Sequence, residues 1–176
     1  MKREVIITSD GSSTIQLPEW NEQYHSIHGA IQEAQHVFIK NGLKLFNNKE
    51  INILEIGFGT GLNCFITFLE AVKLDLKINY IGIEAYPVEQ NEIEKLNYVE
   101  ELKAEESQKK YGLMHTNEWG ENFALSNKFN LENRNLFFNE IEIRDVFDLI
   151  YLDGFGARVQ PELWNEDIFK IMFNAL

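Results

Sequence analysis

The sequence has one cysteine, three prolines and no long apolar run among its 176 residues. Because Cys64 stands alone, a disulfide framework and a zinc site built from several cysteines are excluded. No apolar stretch approaches the roughly 20 residues that span a bilayer. The apolar stretch after Lys2 and Arg3 ends at Ser9, which is too short for a secretory signal. These absences predict a reduced, cytoplasmic protein with no membrane segment.

Positive charge is also scarce, because 16 Lys and Arg residues stand against 28 Asp and Glu residues, a net charge of −12. Phosphate contacts in nucleic-acid complexes come mainly from Lys and Arg, so this composition is not typical of a polyanion-binding protein. Most of the negative charge lies after residue 50, whereas His25, His28 and His36 lie before it. The N-terminal segment is therefore the region least hostile to an anionic partner. The three histidines have no clear set of metal-ligand partners, which favours packing or surface roles and no metal site.

The chain alternates strand and helix patterns, and its length fits one domain better than two. Two short strands before residue 18 predict a β-hairpin, and apolar residues at helical spacing from Ile27 to Phe38 predict a helix. Apolar strands at 51–56, 78–83 and 147–152 alternate with helices at 62–76, 88–110 and 161–176. This order predicts an α/β fold with a mostly parallel sheet flanked by helices. We therefore expect an N-terminal extension over residues 1–48 and a ligand-binding domain over residues 49–176.

The densest motif is LEIGFGTGLN at residues 54–63, where a strand turns into a helix. Gly57, Gly59 and Gly61 let the backbone approach a ligand closely, and a helix start offers free N–H groups. Their spacing is G-x-G-x-G, so Leu62 stands where the dinucleotide fingerprint needs its third glycine. The motif favours an uncharged nucleoside over a pyrophosphate, with a ligand-free tight turn as the alternative.

Two acidic residues accompany this loop. Glu84 ends the next strand at about the 20-residue offset that is typical of a ribose-binding acid in nucleotide-binding folds. A carboxylate there can accept hydrogen bonds from both ribose hydroxyls. Glu55 directly precedes the glycines, and we expect it to meet a positively charged group of the ligand. Glu84 in register with the glycines makes nucleoside binding the favoured interpretation.

Four motifs together resemble the bacterial tRNA 5-methylaminomethyl-2-thiouridine methyltransferases. They are LEIGFGTGLN, IGIEAYP at residues 81–87, DLIYLDGF at 148–155 and PELW at 161–164. The stretch from Tyr24 to Phe38 also resembles the N-terminal segment of this family. The glycine loop alone marks a broad class of methyltransferases, whereas the DGF loop followed by PELW is more specific. Members use S-adenosylmethionine and are fused to an FAD oxidase in some species, and this chain resembles the stand-alone form.

The resemblance implies a Rossmann-like class I methyltransferase fold. It also implies N-methylation of 5-aminomethyl-2-thiouridine at the tRNA wobble position. Glu55 and the three glycines would line the methionine and ribose portion of S-adenosylmethionine, and Glu84 would hold the ribose hydroxyls. The adenine would be contacted by Asn139 or by Glu140, between which the sequence does not choose.

The resemblance places the chemistry at the DGF loop. Asp153 would face the transferring methyl and the substrate amine, while a turn-capping role is the alternative for this carboxylate. Phe155 and Trp164 would shape the pocket for the target base. Cys64 lies on the inward stripe of the helix after the glycine loop, so we expect it to be a core residue rather than a nucleophile.

The sequence departs from the family at two places. The loop after Phe155 reads GARVQ, where relatives usually have Ala-Pro. The chain ends at Leu176, where relatives continue with three more strands and a basic segment. We therefore expect a sheet truncated at its C-terminal side. Either the sequence is a fragment of a longer protein, or the unpaired edge of the sheet meets another chain and supports self-association.

Three other functions compete with tRNA methylation. A small-amine methyltransferase suits the net charge of −12 better. A truncated S-adenosylmethionine-binding module would hold the nucleoside without turnover. A nicotinamide-dependent oxidoreductase is the weakest alternative, because the glycine spacing does not match its fingerprint.

Overall fold

The computed structural model describes residues 2–46 and 50–176, and it contains one five-stranded and one three-stranded sheet. The expected boundary between residues 48 and 49 lies outside the described residues. Within the two described ranges, no helix is both long enough and apolar enough to cross a bilayer.

The N-terminal sheet is antiparallel and contains β1 (Glu4–Ile7), β2 (Ser13–Leu17) and β3 (Glu22–Gln23). The predicted hairpin is present as β1 and β2, and the two-residue β3 was not predicted. The first helix, α1 (Ala30–Ala34), continues as a π-helix over Gln35–Lys40. It begins after Ile27, which is exposed. The third strand matters for the site because it leads directly into Tyr24 and His25.

The larger sheet has the strand order β6-β7-β5-β4-β8. Its strands are β4 (Glu50–Ile56), β5 (Lys77–Ile83), β6 (Asn122–Ser126), β7 (Phe129–Arg134) and β8 (Leu149–Leu152). All neighbours are parallel except β6 and β7, which form an antiparallel pair. The predicted α/β class with a mostly parallel sheet is confirmed. Within the described ranges β8 is an edge strand that pairs with β4, and self-association through this edge stays a prediction.

The α-helices after β4 are α2 (Leu62–Lys73), α3 (Gln90–Ile93), α4 (Tyr98–Glu101), α5 (Gln108–Thr116) and α6 (Glu166–Ala175). The prediction of one long charged helix over residues 88–110 is wrong, because that segment is divided into several short helices. Asn97 explains one break: its backbone and side-chain atoms hydrogen-bond to Ser13 and Gly11 of the N-terminal sheet. These tertiary contacts override the helical composition of the segment.

Two apolar clusters flank the sheet and hold its strands in place. One contains the buried rings of Phe65, Tyr80 and Phe129, and the other packs α6 against β4 and β5 through residues such as Ile168. Cys64 is fully buried in the first cluster, as predicted for a core residue. With the faces covered in this way, the carboxyl ends of β4, β5 and β8 lie side by side at one edge of the sheet, where α/β folds bind ligands.

Candidate functional site

A cleft of about 1420 Å³ opens at the carboxyl ends of β4, β5 and β8. Ligand pockets usually measure about 300–1,000 Å³, so this cleft has room for more than one small ligand. Its walls come from the glycine loop, the tips of β5 and β8, and the N-terminal sheet. We call its two sides the glycine-loop half, defined by Gly57, Gly59 and Glu84, and the aromatic half, defined by Trp20, Tyr24 and Phe155.

The glycine loop is held in a left-handed conformation that only glycine adopts easily. Gly57, Gly59 and Gly61 have φ angles of 91°, 49° and 71°. A Cβ added to Gly57 would lie 1.9 Å from the carbonyl oxygen of Asp153, so the two chain segments touch through backbone atoms. Gly57 and Gly59 border the cleft, and their contact with S-adenosylmethionine stays a prediction. Gly61 instead caps the start of α2 and packs against His115, away from the lining.

Glu84 lies at the tip of β5 beside this loop and borders the cleft. Its carboxylate accepts hydrogen bonds from the backbone N–H groups of Gly59, at 3.0 Å, and Tyr86, at 2.9 Å. Each oxygen is therefore oriented by one backbone donor and retains acceptor capacity for a second. A rigidly held acceptor pair is suited to a vicinal diol such as that of ribose.

Asp153 and Glu55 are joined by one amide. Asn63 Nδ2 donates to Asp153 Oδ2 at 2.7 Å and to Glu55 Oε1 at 2.9 Å, while Tyr80 donates its hydroxyl to Glu55 Oε2 at 2.8 Å. Glu55 is 0% exposed and does not border the cleft. Its burial, strengthened by the nearby Asp153, raises the pKa of this carboxyl well above its usual value. Glu55 therefore lies outside the cleft lining, where it orients the Asn63 amide by accepting its hydrogen bond instead of facing a ligand.

Asp153 borders the cleft directly after β8. Burial raises the pKa of its carboxyl to about 7, against the opposing effect of the hydrogen bond from Asn63. The negative charges of Glu33 and Glu84 add to the increase in this pKa. A carboxyl that titrates near neutrality can both hold and release a proton there, which an ordinary aspartate with a pKa near 4 does poorly.

His25 is a cleft residue for which the sequence favoured a packing or surface role. Its Nδ1 lies 3.8 Å from Asp153 Oδ2, and its Nε2 lies 3.0 Å from the Thr60 hydroxyl, which accepts from Tyr98. Burial lowers the pKa of His25 to about 4, so the ring is neutral at pH 7. The available signal was its place in the Tyr24–Phe38 stretch that resembles the family's N-terminal segment.

The aromatic half consists of three half-buried rings. Phe155 meets Trp20 at 5.7 Å and Tyr24 at 5.2 Å between ring centroids, with both pairs close to perpendicular. Phe155 borders the cleft, whereas Trp164 does not, and the role of Phe155 in binding the target base stays a prediction. Trp164 donates its indole N–H to the Phe155 carbonyl at 2.8 Å and so braces the DGF loop from outside. The sequence therefore assigned Trp164, which lies outside the aromatic half, to the pocket and did not assign Trp20, which belongs to it.

The two candidates for an adenine contact occupy different positions. Asn139 borders the cleft. Glu140 does not, and its carboxylate accepts a hydrogen bond from the backbone N–H of Phe137 at 2.8 Å. The geometry therefore favours Asn139.

Comparison with known proteins gave one family match and several relatives. Residues 104–176 match the model of an S-adenosyl-L-methionine-dependent methyltransferase family. The bifunctional protein MnmC of Leptospira borgpetersenii, named for tRNA 5-methylaminomethyl-2-thiouridine biosynthesis, is 33% identical over 89% of this chain and 26% of its own length. The protein of the same name from Leptospira interrogans is 31% identical over 86% of this chain and 25% of its own. The chain spans about a quarter of the length of these relatives.

The fold is also similar to a crystal structure of MnmC2 from Aquifex aeolicus. The TM-score is 0.76 at 24% sequence identity, and the match covers 99% of this chain and 57% of the other. At this identity the likeness concerns the fold alone.

Proposed function

We propose that this chain is an S-adenosyl-L-methionine-dependent methyltransferase that methylates the amine of 5-aminomethyl-2-thiouridine at the wobble position of tRNA. The match of residues 104–176 to such a methyltransferase family and the similarity to MnmC proteins support this proposal. The observation that carries the proposal is the position of Asp153. Its carboxylate borders the cleft, its backbone carbonyl touches Gly57 of the glycine loop, and Phe155 of the aromatic half follows two residues later. Such a substrate implies a cytoplasmic protein.

The glycine-loop half fits S-adenosylmethionine. Gly57 and Gly59 leave no side chain between the backbone and the ligand, and Glu84 offers two oriented acceptors for the ribose hydroxyls. Asn139 is the residue we assign to the adenine. When bound, the cofactor supplies a methyl group that its positively charged sulfur already activates, so the protein needs to align the acceptor and exclude water.

Asp153 removes a proton from the amine that receives the methyl group. An alkyl amine is mostly protonated at neutral pH, by analogy with the Lys pKa of about 10.4, and in that form it has no lone pair. The Asp153 carboxylate binds the ammonium group and takes its proton. The raised pKa makes this carboxyl a stronger base than an ordinary aspartate. Asn63 fixes the orientation of the carboxylate from below.

The charge of the cleft supports an amine acceptor. Carboxylates border it on every side, and Arg3 is the one lysine or arginine in its lining within the described ranges. The carboxylates are Glu22, Glu33, Glu84, Glu89, Glu92, Asp153, Glu162 and Asp167. A phosphate would be repelled from such a cleft, so only the target base with its cationic arm is expected to enter. The same charge also favours a free polyamine, which is the second candidate substrate.

The test is methyl transfer from labelled S-adenosylmethionine to tRNA that carries 5-aminomethyl-2-thiouridine, with spermidine as the competing acceptor. We expect label in the tRNA and a rate that rises with pH through about 7, as Asp153 loses its proton. Asp153→Asn should lower the rate by about 10²–10⁴-fold, the usual contribution of a positioned acid or base.

The matched control is Asp75→Asn, at an exposed surface ion pair with Lys128, which should keep the wild-type rate. Label in spermidine but not in tRNA would support the small-amine enzyme. Cofactor binding without transfer to either acceptor would support the binding module.

A further inference from the structure

The aromatic half of the cleft has no assigned role in binding the cofactor, although its three rings contact one another and line the same cleft. Trp20, Tyr24 and Phe155 all border the cleft and are half-buried. None of them belongs to either of the two apolar clusters that stabilise the sheet. Half-buried rings outside the core keep part of their surface available to a ligand. One face of Tyr24 is already approached by the Arg3 guanidinium, 5.9 Å from the ring centroid, so stacking depends mainly on Trp20 and Phe155.

We propose that Trp20, Tyr24 and Phe155 form a stacking site for the target base, and that the N-terminal sheet is thereby part of the substrate site. The ligand class is a pyrimidine that carries a protonated aminomethyl group, so this inference rests on the proposed function. Aromatic side chains bind nucleobases by stacking, and each stacked base contributes about 1–3 kcal/mol.

The position of the rings separates this site from that of the cofactor ribose. Phe155 follows β8 and Glu84 ends β5, and β4 with its glycine loop lies between these strands. Tyr24 packs against this loop, since a Cβ on Gly59 would lie 3.0 Å from its ring. A base on the aromatic half would therefore lie beside the donor in the same cleft, with its aminomethyl arm directed toward Asp153.

The acidic groups on the same side suit the arm of the base. Asp153 is two residues before Phe155, and Glu22 and Glu33 border the cleft from the N-terminal segment. A base that stacks on the rings can thus direct its ammonium group toward carboxylates. A neutral pyrimidine without that arm would gain only the stacking.

Arg158 connects the two parts of the stacking site. Its guanidinium donates to the backbone carbonyls of Trp20, at 2.9 Å, and Asn21, at 3.1 Å, and to the carboxylate of Glu22. These bonds join the loop after Phe155 to the turn that carries Trp20. Arg158 stands in the stretch where the sequence departs from its family, and it is a positioning residue that fixes the rings relative to each other.

The experiment measures equilibrium binding, which keeps it independent of turnover. The full chain, saturated with S-adenosylhomocysteine, is titrated calorimetrically with the nucleoside 5-aminomethyl-2-thiouridine. Trp20→Ala should raise the dissociation constant about tenfold, within the range expected for loss of one stacked ring. Trp20→Phe should retain most of the affinity. Uridine should bind more weakly than the amine-bearing nucleoside.

The matched control is Phe173→Ala, which removes a 77% exposed ring that does not border the cleft and should leave binding unchanged. Arg158→Gln is a second variant at an exposed side chain, and we expect a smaller loss, about threefold, because an exposed ion pair is weak. Thermal unfolding and the affinity for S-adenosylhomocysteine show whether Trp20→Ala folds. If it does not, Arg158→Gln still tests the proposal.

Wild-type affinity in Trp20→Ala, or the absence of nucleoside binding to the wild-type protein, would overturn the stacking site. If Trp20→Ala does not fold, wild-type affinity in Arg158→Gln would overturn it as well. A wild-type protein that binds the nucleoside but methylates no tRNA would instead overturn the proposed function and leave the stacking site standing. The two failures are therefore distinguishable.

Discussion

The two halves of the cleft are built in different ways. The glycine-loop half depends on backbone: left-handed glycines, N–H groups that orient Glu84, and a contact between Gly57 and the Asp153 carbonyl. The aromatic half depends on side chains brought together from distant parts of the sequence, such as Trp20 and Phe155. The first half therefore tolerates almost no substitution at its glycines, whereas the second can change its rings and keep the fold. This difference suits a site that holds a cofactor with backbone groups and a substrate base with side chains.

The largest effect is expected for a substitution that disrupts the glycine-loop half. Gly57→Ala places a Cβ on a residue with φ of 91° and within 1.9 Å of a backbone oxygen, so the backbone must move. We expect a loss of about 3 kcal/mol or more in the free energy of unfolding, together with loss of S-adenosylhomocysteine binding. Denaturant unfolding and calorimetry measure the two effects.

Gly112→Ala is the control for that substitution. Gly112 lies within α5 with no atom within 4 Å of the added Cβ, so the change should stabilise the protein by about 0.5–1 kcal/mol. Equal effects of the two substitutions would contradict the assignment of strain to the loop.

An intermediate effect on stability is expected at Asn63, whose buried amide bonds to Asp153 and Glu55. Asn63→Leu removes the amide that donates to both Asp153 and Glu55, and unsatisfied buried acceptors cost about 1–3 kcal/mol of stability. Because the Asn63 hydrogen bond opposes the increase in the Asp153 pKa, its loss should raise that pKa above about 7. The pH profile of methyl transfer should then shift to higher pH.

The control for Asn63 is Asn41→Ala, which removes an exposed hydrogen bond to the His36 carbonyl. A surface change of this kind should alter stability by less than about 0.5 kcal/mol. A destabilised Asn63→Leu whose pH profile stays in place would mean that Asn63 supports the fold without acting on Asp153.

The same difference explains what could be predicted from the sequence. The glycine loop and Glu84 were found because their signals are local: a run of glycines at a strand end, and an acid at a fixed offset. Trp20 was missed because its approach to Phe155 depends on the turn before β3 and on Arg158, far along the chain. A pocket role for Trp164 was implied by the resemblance of the PELW motif to the family, but its indole N–H bonds to the Phe155 carbonyl from outside the cleft.

The fold was predictable to a similar extent. The strands at 51–56 and 78–83 were found because a buried parallel strand is a continuous apolar run, and they match β4 and β5 closely. The short helices within residues 88–110 were not predicted, because the helical composition of that segment does not reveal the contacts between Asn97 and the N-terminal sheet. The same reasoning applies to Glu55, whose burial beneath Asn63 has no sequence signal.

The smallest expected effect is a pH dependence of stability in the glycine-loop half. His115 packs behind the loop between Phe58 and Tyr111, and burial lowers its pKa to about 4 from the ordinary 6.5. The unfolded chain takes up a proton below about pH 6.5, and the folded chain does so only near pH 4. The contribution of His115 is therefore complete above pH 6.5 and is lost as the pH falls toward 4.

Replacing this ring by one that does not titrate isolates the effect. His115→Phe should lose about 1–2 kcal/mol less stability than the wild type between pH 7 and pH 5, as measured by urea unfolding at each pH. The raised pKa of Asp153 acts in the opposite direction in this window, since the folded protein then gains stability as the pH falls. That contribution is present in both proteins and cancels in the comparison. His28→Gln, at an exposed histidine, should follow the wild-type curve; parallel curves for the wild type and His115→Phe would show that the acid sensitivity arises elsewhere.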